Sequence, residues 1–187
     1  LSNSIRAGAD YSFSPKDVLT GSFIYRVSDD DNFVETRYED FVNSLDNPTF
    51  LSVRTDDEVE FEPNLEYSLN YKKEFLLEGR ELRFDLQYRE STETESSDLQ
   101  ERIFNPDESP SNIPDLIQRS ENAEGEKTWL FQSDYVHPIG ENGKFEAGWR
   151  TQLRNIKNDF LVEEFENETW TSLVGLSNDF RYDEDIH

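Results

Sequence analysis

Apolar and polar residues alternate along six segments of the chain, at 5–13, 19–27, 65–71, 82–88, 129–135 and 145–153. In the first segment Ile5, Tyr11 and Phe13 share one parity, while Arg6 and Asp10 fall on the other. Because successive side chains of a strand point to opposite faces, each segment is predicted to be a strand with one apolar and one ionic face. A helical period fails almost everywhere, so helix is expected to be minor.

The connections between these strands differ in length. Segments 14–17, 72–81 and 138–144 are short, whereas 28–62, 89–127 and 154 onward are long. Short periplasmic turns at one end and long extracellular loops at the other are typical of a transmembrane β-barrel. The predicted fold class is all-β: an antiparallel up-and-down meander of about six or seven strands. Since the smallest closed barrels have about 8 strands, we expect a sector of a larger barrel.

Some details of the connections can also be predicted. Residues 33–39 still alternate but carry charges on one face, so strand 2 is expected to continue into water beyond the membrane zone. Residues 45–48 are the predicted hairpin tip, and the return strand runs from about Leu51 to Tyr71. Gly79 and the Asn142-Gly143 pair indicate turns. Residues 91–127 are predicted to be a mobile loop, and 180–182 begin a seventh strand.

The parity of each strand assigns its residues to a face. The residues predicted to face lipid are Ile5, Phe23, Tyr25, Leu69, Leu86 and Phe131. Those predicted to face the lumen are Arg6, Asp10, Glu66, Asp85 and Asp134. Segments 28–62, 91–127 and 154–178 are expected to be extracellular. Aromatic residues cluster near strand ends, as in the girdles of outer-membrane barrels, although aromatic residues also favour strands in general.

The charge of the chain is concentrated at one end of the predicted sheet. Almost all of the net charge of −24 lies in 28–62, 89–127 and 154–187, while the short turns are neutral. One rim is therefore predicted to be acidic and to attract cations or basic partners. Because no basic patch is available to neutralise phosphates, nucleic acid is not expected as a partner. The aromatic content of 13% argues against a disordered chain.

No group of residues carries the signature of a catalytic, cofactor-binding or metal site. The acidic segments 28–32 and 55–58 offer oxygen ligands for a hard cation such as Ca²⁺, but neither has the spacing of an EF-hand loop. His137 and His187 are the only histidines, and the chain lacks cysteine, so a zinc site is not expected. Gly-x-Ser-x-Gly is absent, and carboxylate pairs arise by chance among 42 acidic residues. We expect neither an enzyme nor a cofactor.

Several strings resemble a known family. They are Leu-Asn-Tyr-Lys-Lys-Glu-Phe at 69–75, Asp-Tyr-Val-His-Pro at 134–138, Lys-Phe-Glu-Ala-Gly-Trp at 144–149, Arg-Asn-Ile-Lys-Asn-Asp-Phe at 154–160 and the closing 177–187. They resemble the Bacteroidetes-type outer-membrane β-barrel proteins related to TonB-dependent receptors. The resemblance covers most of the chain and is weakest in 28–62 and 91–127.

This resemblance implies a large barrel in the outer membrane of a Gram-negative bacterium, with an N-terminal plug and uptake driven by TonB. Residues 1–187 would be a partial barrel domain, because the sequence shows neither a plug nor an energy-coupling box. The partners implied are outer-membrane lipid, lipopolysaccharide, an unidentified solute or surface partner at the acidic loops, and TonB through an N-terminal part outside this chain.

Two other interpretations stay open at the level of the sequence. One is a soluble, acidic, all-β module that binds a glycan or a protein at a cell surface, with its apolar face covered by a second sheet or by a partner. The other is a structural barrel without transport. The asymmetry in loop length and charge favours the outer-membrane barrel that takes up a solute.

Overall fold

The fold is a single antiparallel sheet. The computed structural model describes residues 1–42 and 48–187. The strands are β1 (Ser2–Ser14), β2 (Asp17–Asp40), β3 (Phe50–Glu74), β4 (Glu81–Phe104), β5 (Leu116–Ile139), β6 (Gly143–Glu166), β7 (Thr169–Ser172) and β8 (Asn178–Ile186). The described residues contain no helix. The predicted all-β antiparallel meander is therefore confirmed.

The strands are ordered in space as they are in sequence, and the sheet is not closed. Both β7 and β8 pair with β6, one beyond the other along its length. The eight strands therefore make a sheet seven strands wide. The seventh strand predicted at 180–182 lies within β8, and β7 was not foreseen.

The strands are much longer than the sequence pattern predicts. Residues 91–127 are not one loop, because β4 continues to Phe104 and β5 begins at Leu116. Within 154–178, β6 likewise continues to Glu166. The apolar alternation ends where a strand leaves the membrane zone, since water wets both faces there, but the backbone pairing continues. A strand crosses a membrane in about 9–11 residues, so more than half of the 24-residue β4 extends beyond the membrane zone. We call the part of the sheet above this zone the extension.

The predicted return strand, the continuation of strand 2 and the short turns are confirmed. Gly79 has the left-handed φ of +79°. In the β5–β6 turn that conformation belongs to Gly140, with φ of +63°, rather than to the Asn142-Gly143 pair. Gly143 is needed for another reason, because a Cβ there would lie 2.7 Å from the carbonyl oxygen of Ile139. The predicted hairpin tip at 45–48 lies outside the described residues except for Pro48.

The apolar side chains are not packed into a core. Among the described residues only Ile24, Leu51 and Val162 are buried apolar side chains. The accessible surface is 13309 Å², whereas a compact protein of 22.0 kDa would expose about 9300 Å². The chain therefore leaves uncovered a large area that a compact domain would bury. No helix in the described residues is long and apolar enough to span a membrane.

Candidate functional site: the two faces of the sheet

The strand register sorts the predicted residues onto two faces. Leu69 lies opposite Leu86, which lies opposite Phe131, and Ile5 lies opposite Tyr25. The six residues predicted to face lipid share one face, which we call the outer face. Arg6, Asp10, Glu66, Asp85 and Asp134 share the opposite one, which we call the inner face. The predicted division of the sheet is confirmed.

An aromatic row crosses four strands on the outer face. Phe23, Tyr67, Tyr88 and Trp129 lie opposite one another in turn, with ring centroids 5.2, 6.4 and 4.5 Å apart. Aromatic rings favour the headgroup region, and outer-membrane barrels carry such girdles at both interfaces. We assign this row to the upper interface of the membrane zone.

The outer face becomes ionic immediately above this row. The Tyr88 hydroxyl donates a hydrogen bond to Glu90 at 2.6 Å, and Lys127 Nζ lies 3.1 Å from the same carboxylate. A second aromatic set lies near the short turns, where Phe75 and Tyr135 are 6.4 Å apart. The apolar band between the two sets is six positions of β5 deep, from Trp129 to Tyr135. Six positions correspond to about 20 Å of strand, which approaches the apolar band of outer-membrane barrels, about 25 Å tall.

In the extension the inner face is acidic. Glu60 lies opposite both Asp30 and Glu95, and Glu93 lies opposite Glu124. We define the acidic band as the inner-face carboxylates of Asp30, Glu58, Glu60, Glu62, Glu93, Glu95 and Glu124. Like charges in directly opposed positions destabilise a sheet. This repulsion arises because the carboxylates follow the parity of the inner face on four consecutive strands, β2, β3, β4 and β5.

The acidic band changes the protonation of its own members. Burial raises the pKa of Glu93 above its ordinary value, and the carboxylates of Glu60 and Glu124 add to the rise. Burial also raises the pKa of Glu95, with further contributions from Glu58 and Glu60. Both groups are therefore easier to protonate than an isolated glutamate.

Below the acidic band, basic residues appear on the inner face. Arg154 Nη2 lies 2.7 Å from Glu126 and holds the pKa of that carboxyl below its usual range. Arg89 Nη2 lies 3.4 Å from Glu66. Charged side chains thus lie on the inner face both in the extension and at the level of the aromatic row, and a polar interior is the property expected of a barrel lumen.

The two acidic segments considered as cation ligands are split by the strand geometry. Residues 28–32 lie on β2, so Asp29 and Asp31 point to the outer face and Asp30 to the inner face. The same alternation separates Asp57 from Asp56 on β3. Within the part of the chain that the structure describes, no three His, Asp or Glu side chains are grouped to hold a metal ion.

The histidines occupy structural positions in the described sheet. The Nδ1 atom of His137 lies 3.1 Å from the Tyr135 hydroxyl on the same strand. The Nδ1 atom of His187 lies 2.6 Å from Thr151 Oγ1, so this contact joins the end of the described sheet to β6.

Sequence reasoning missed the acidic band, because residues 91–127 were interpreted as a loop. One signal was present in the sequence. Thr92, Thr94 and Ser96 alternate with Glu93 and Glu95, and threonine is enriched in strands. The alternation distinguishes two faces even where neither is apolar.

An uncovered apolar face bounded by aromatic rows, an ionic opposite face and an up-and-down meander define a sector of an outer-membrane β-barrel. The comparison with protein families agrees. The model of the outer membrane protein beta-barrel family matches residues 73–187, from the end of β3 through β8, which is more than half of the chain. The chain belongs to this family, and it is located in the outer membrane. No curated protein matches it. Of the interpretations left open by the sequence, the soluble module is therefore set aside.

Proposed function

We propose that this chain is a barrel sector of a TonB-dependent receptor-like protein that takes up a solute across the outer membrane. The solute would pass along the inner face by binding and gated passage, without covalent chemistry. The observation that carries this proposal is the contrast between the faces. Tyr11 and Phe13 on the outer face are 63% and 62% exposed, and no layer of the described residues covers them. The opposite face carries charged side chains on each of the strands β1 to β6.

The open edges of the sheet support the barrel part of this proposal. In lipid, every backbone polar group needs a partner, so a membrane sheet must close on itself. The free sides of β1 and of β8 therefore require further strands. Large transporters have about 22 strands, and a sheet seven strands wide would form about a third of such a wall. The resemblance of 134–138 and 177–187 to Bacteroidetes-type receptors supports TonB as the energy source.

The proposed partners follow from the two ends of the barrel. Lipid and lipopolysaccharide surround the outer face, and a solute or surface partner meets the acidic extension first. TonB would act through an N-terminal part outside this chain. Anionic surfaces, including nucleic acid, would be repelled by the acidic band.

Uptake by cells that contain or lack the full-length protein tests this function. A panel of labelled small sugars, peptides and organic acids would be supplied with and without a proton uncoupler. Uptake that needs both the protein and the proton gradient supports a TonB-driven receptor, and uptake that needs only the protein indicates a passive channel. Equal uptake with and without the protein for every solute would contradict transport and favour a structural barrel.

A further inference from the structure

A depression of about 460 Å³ on the inner face is lined by arginines from three strands. Its principal lining residues are Arg6, Ile24, Arg26, Asn64, Glu66 and Arg89. We call it the arginine pocket. It lies level with the aromatic row of the outer face, because Ile24 and Arg89 directly follow Phe23 and Tyr88 in the chain.

The strand register brings the three guanidinium groups together. Arg6 on β1 lies opposite Ile24, which lies opposite Glu66, which lies opposite Arg89 on β4. Arg26 is two positions further along β2 from Ile24 and therefore on the same face. The arginines thus surround Ile24, which is buried and forms an apolar floor.

The positive charge of the arginine pocket is only partly neutralised. Arg89 Nη2 lies 3.4 Å from Glu66. In the described residues, neither Arg6 nor Arg26 has a carboxylate oxygen within 4.0 Å. Glu62, a diagonal neighbour of Arg26, instead accepts hydrogen bonds from Asn64 at 2.9 Å and from Ser28 at 3.4 Å. Within the described residues these two guanidinium groups therefore make no ion pair, although the chain has 42 acidic residues and 18 basic ones.

The acidic band does not cancel this local charge. Glu60 lies six positions above Glu66 on β3, which is about 20 Å of strand. The Debye length at physiological salt is about 8 Å, so most of the band is screened from the pocket. Contacts inside the pocket then decide what binds there.

We propose that the arginine pocket binds the anionic group of a solute, a carboxylate or a phosphate, on the inner face. A guanidinium group offers parallel N–H donors that match both anions in a bidentate geometry. Because Arg6 and Arg26 make no ion pair within the described residues, their donors are free for a ligand. The inference rests on the proposed function, because it treats the inner face as the path of the solute.

Binding of small anions to the full-length protein in detergent tests this inference without measuring transport. Inorganic phosphate and malonate would be titrated calorimetrically at constant ionic strength. We expect both anions to bind, and the double variant Arg6→Gln/Arg26→Gln to bind them at least tenfold more weakly. The matched control is Arg83→Gln, also on the inner face but paired with Glu81 at 2.5 Å, which should bind like the wild type.

A second double variant, Arg6→Lys/Arg26→Lys, keeps the charge but removes the bidentate donors. It provides the test of anion binding if the glutamine variant fails to assemble. We expect it to weaken binding by less than the glutamine variant would, but measurably. Absence of anion binding in the wild type, or equal binding in wild type and both double variants, would overturn the inference. If anions bind as expected but uptake does not depend on the protein, the proposed function is wrong and the inference that the arginine pocket binds anions is still supported. If uptake depends on the protein but the pocket binds no anion, only this inference fails.

Discussion

Glu60 and Glu95 occupy directly opposite positions of β3 and β4, so two carboxylates face each other on the inner side of the extension. No arginine or lysine lies opposite either one, because the remaining neighbours in that row are Asp30 and Asn122. The sheet holds this pair in place through its long ladder of backbone hydrogen bonds. The pair thus opposes the stability of the strands that carry it.

Removing one charge of this pair should stabilise the extension. We expect Glu95→Gln to increase local stability by up to about 1 kcal/mol, the size of a cross-strand charge effect. Hydrogen exchange of the β3 and β4 amides would show slower exchange around residues 58–62 and 93–97. Glu121→Gln is the matched control, since Glu121 lies opposite Ser96 and Leu161 and should leave exchange unchanged. Faster exchange in Glu95→Gln would contradict the repulsion.

Acidification should stabilise the same region. The raised pKa values of Glu93 and Glu95 mean that their charged forms are disfavoured in the folded sheet. This penalty is fully present at pH values above the pKa of the folded sheet. It disappears as the pH falls through that pKa towards 4.5, the pKa of glutamate in the unfolded chain. Glu126 has a lowered pKa in the folded sheet. Its stabilising contribution is therefore lost only when the pH falls below 4.5, the pKa of glutamate in the unfolded chain.

Between pH 7 and pH 5 the gain from Glu93 and Glu95 should therefore dominate. Amide exchange, corrected for its intrinsic pH dependence, would report greater protection of the extension at pH 5. The double variant Glu93→Gln/Glu95→Gln should show a smaller difference between the two pH values. A wild-type extension that is less protected at pH 5 than at pH 7 would show that other groups control this region.

The three tryptophans should lie at different depths relative to the membrane. Trp129 belongs to the aromatic row and Trp149 lies on the outer face below it, whereas Trp170 lies in the extension, 4.3 Å from the Arg119 guanidinium. In single-tryptophan variants, brominated lipid should quench the fluorescence of Trp129 and Trp149 but not that of Trp170. Strong quenching of Trp170 would mean that the membrane zone has been placed too low on the sheet.

A charge on the outer face should destabilise the barrel. Leu86 lies between Leu69 and Phe131 on that face. We expect Leu86→Arg to cost about 2 kcal/mol, because the penalty for arginine on the lipid face is about 2–4 kcal/mol at the midplane and falls towards the interfaces. Urea unfolding in lipid vesicles would measure it. Gln87→Arg, the adjacent residue on the inner face, is the matched control and should be tolerated. Equal losses for both variants would show that the faces have been assigned wrongly.

Part of this structure could be predicted from the sequence because lipid imposes a strict pattern. Leu69, Leu86 and Phe131 stand out by parity alone, since a lipid-exposed position excludes charge. The parts of the extension that belong to β4 and β5 could not be recognised in this way. In water, Thr92 and Glu93 are equally acceptable on either face, so hydrophobic alternation disappears although the strand continues.

The arginine pocket and the opposed carboxylates depend on register rather than on local pattern. Arg6 and Arg89 are separated by two intervening strands, and their alignment depends on how many residues each hairpin contains. The sequence shows that both are polar positions of strands or strand ends. It does not show that one row of the sheet contains both.

The length of β3 determines how far the protein reaches from the cell. Phe50 is seventeen positions from Tyr67 in the aromatic row, which is about 56 Å of strand. With the tilt of about 40° usual for such strands, the upper end of β3 stands about 40 Å above the lipid surface. A particle approaching the bacterium therefore touches the hairpin ends well before it reaches the headgroups. A small molecule moving down the inner face passes the acidic band before it reaches the arginine pocket.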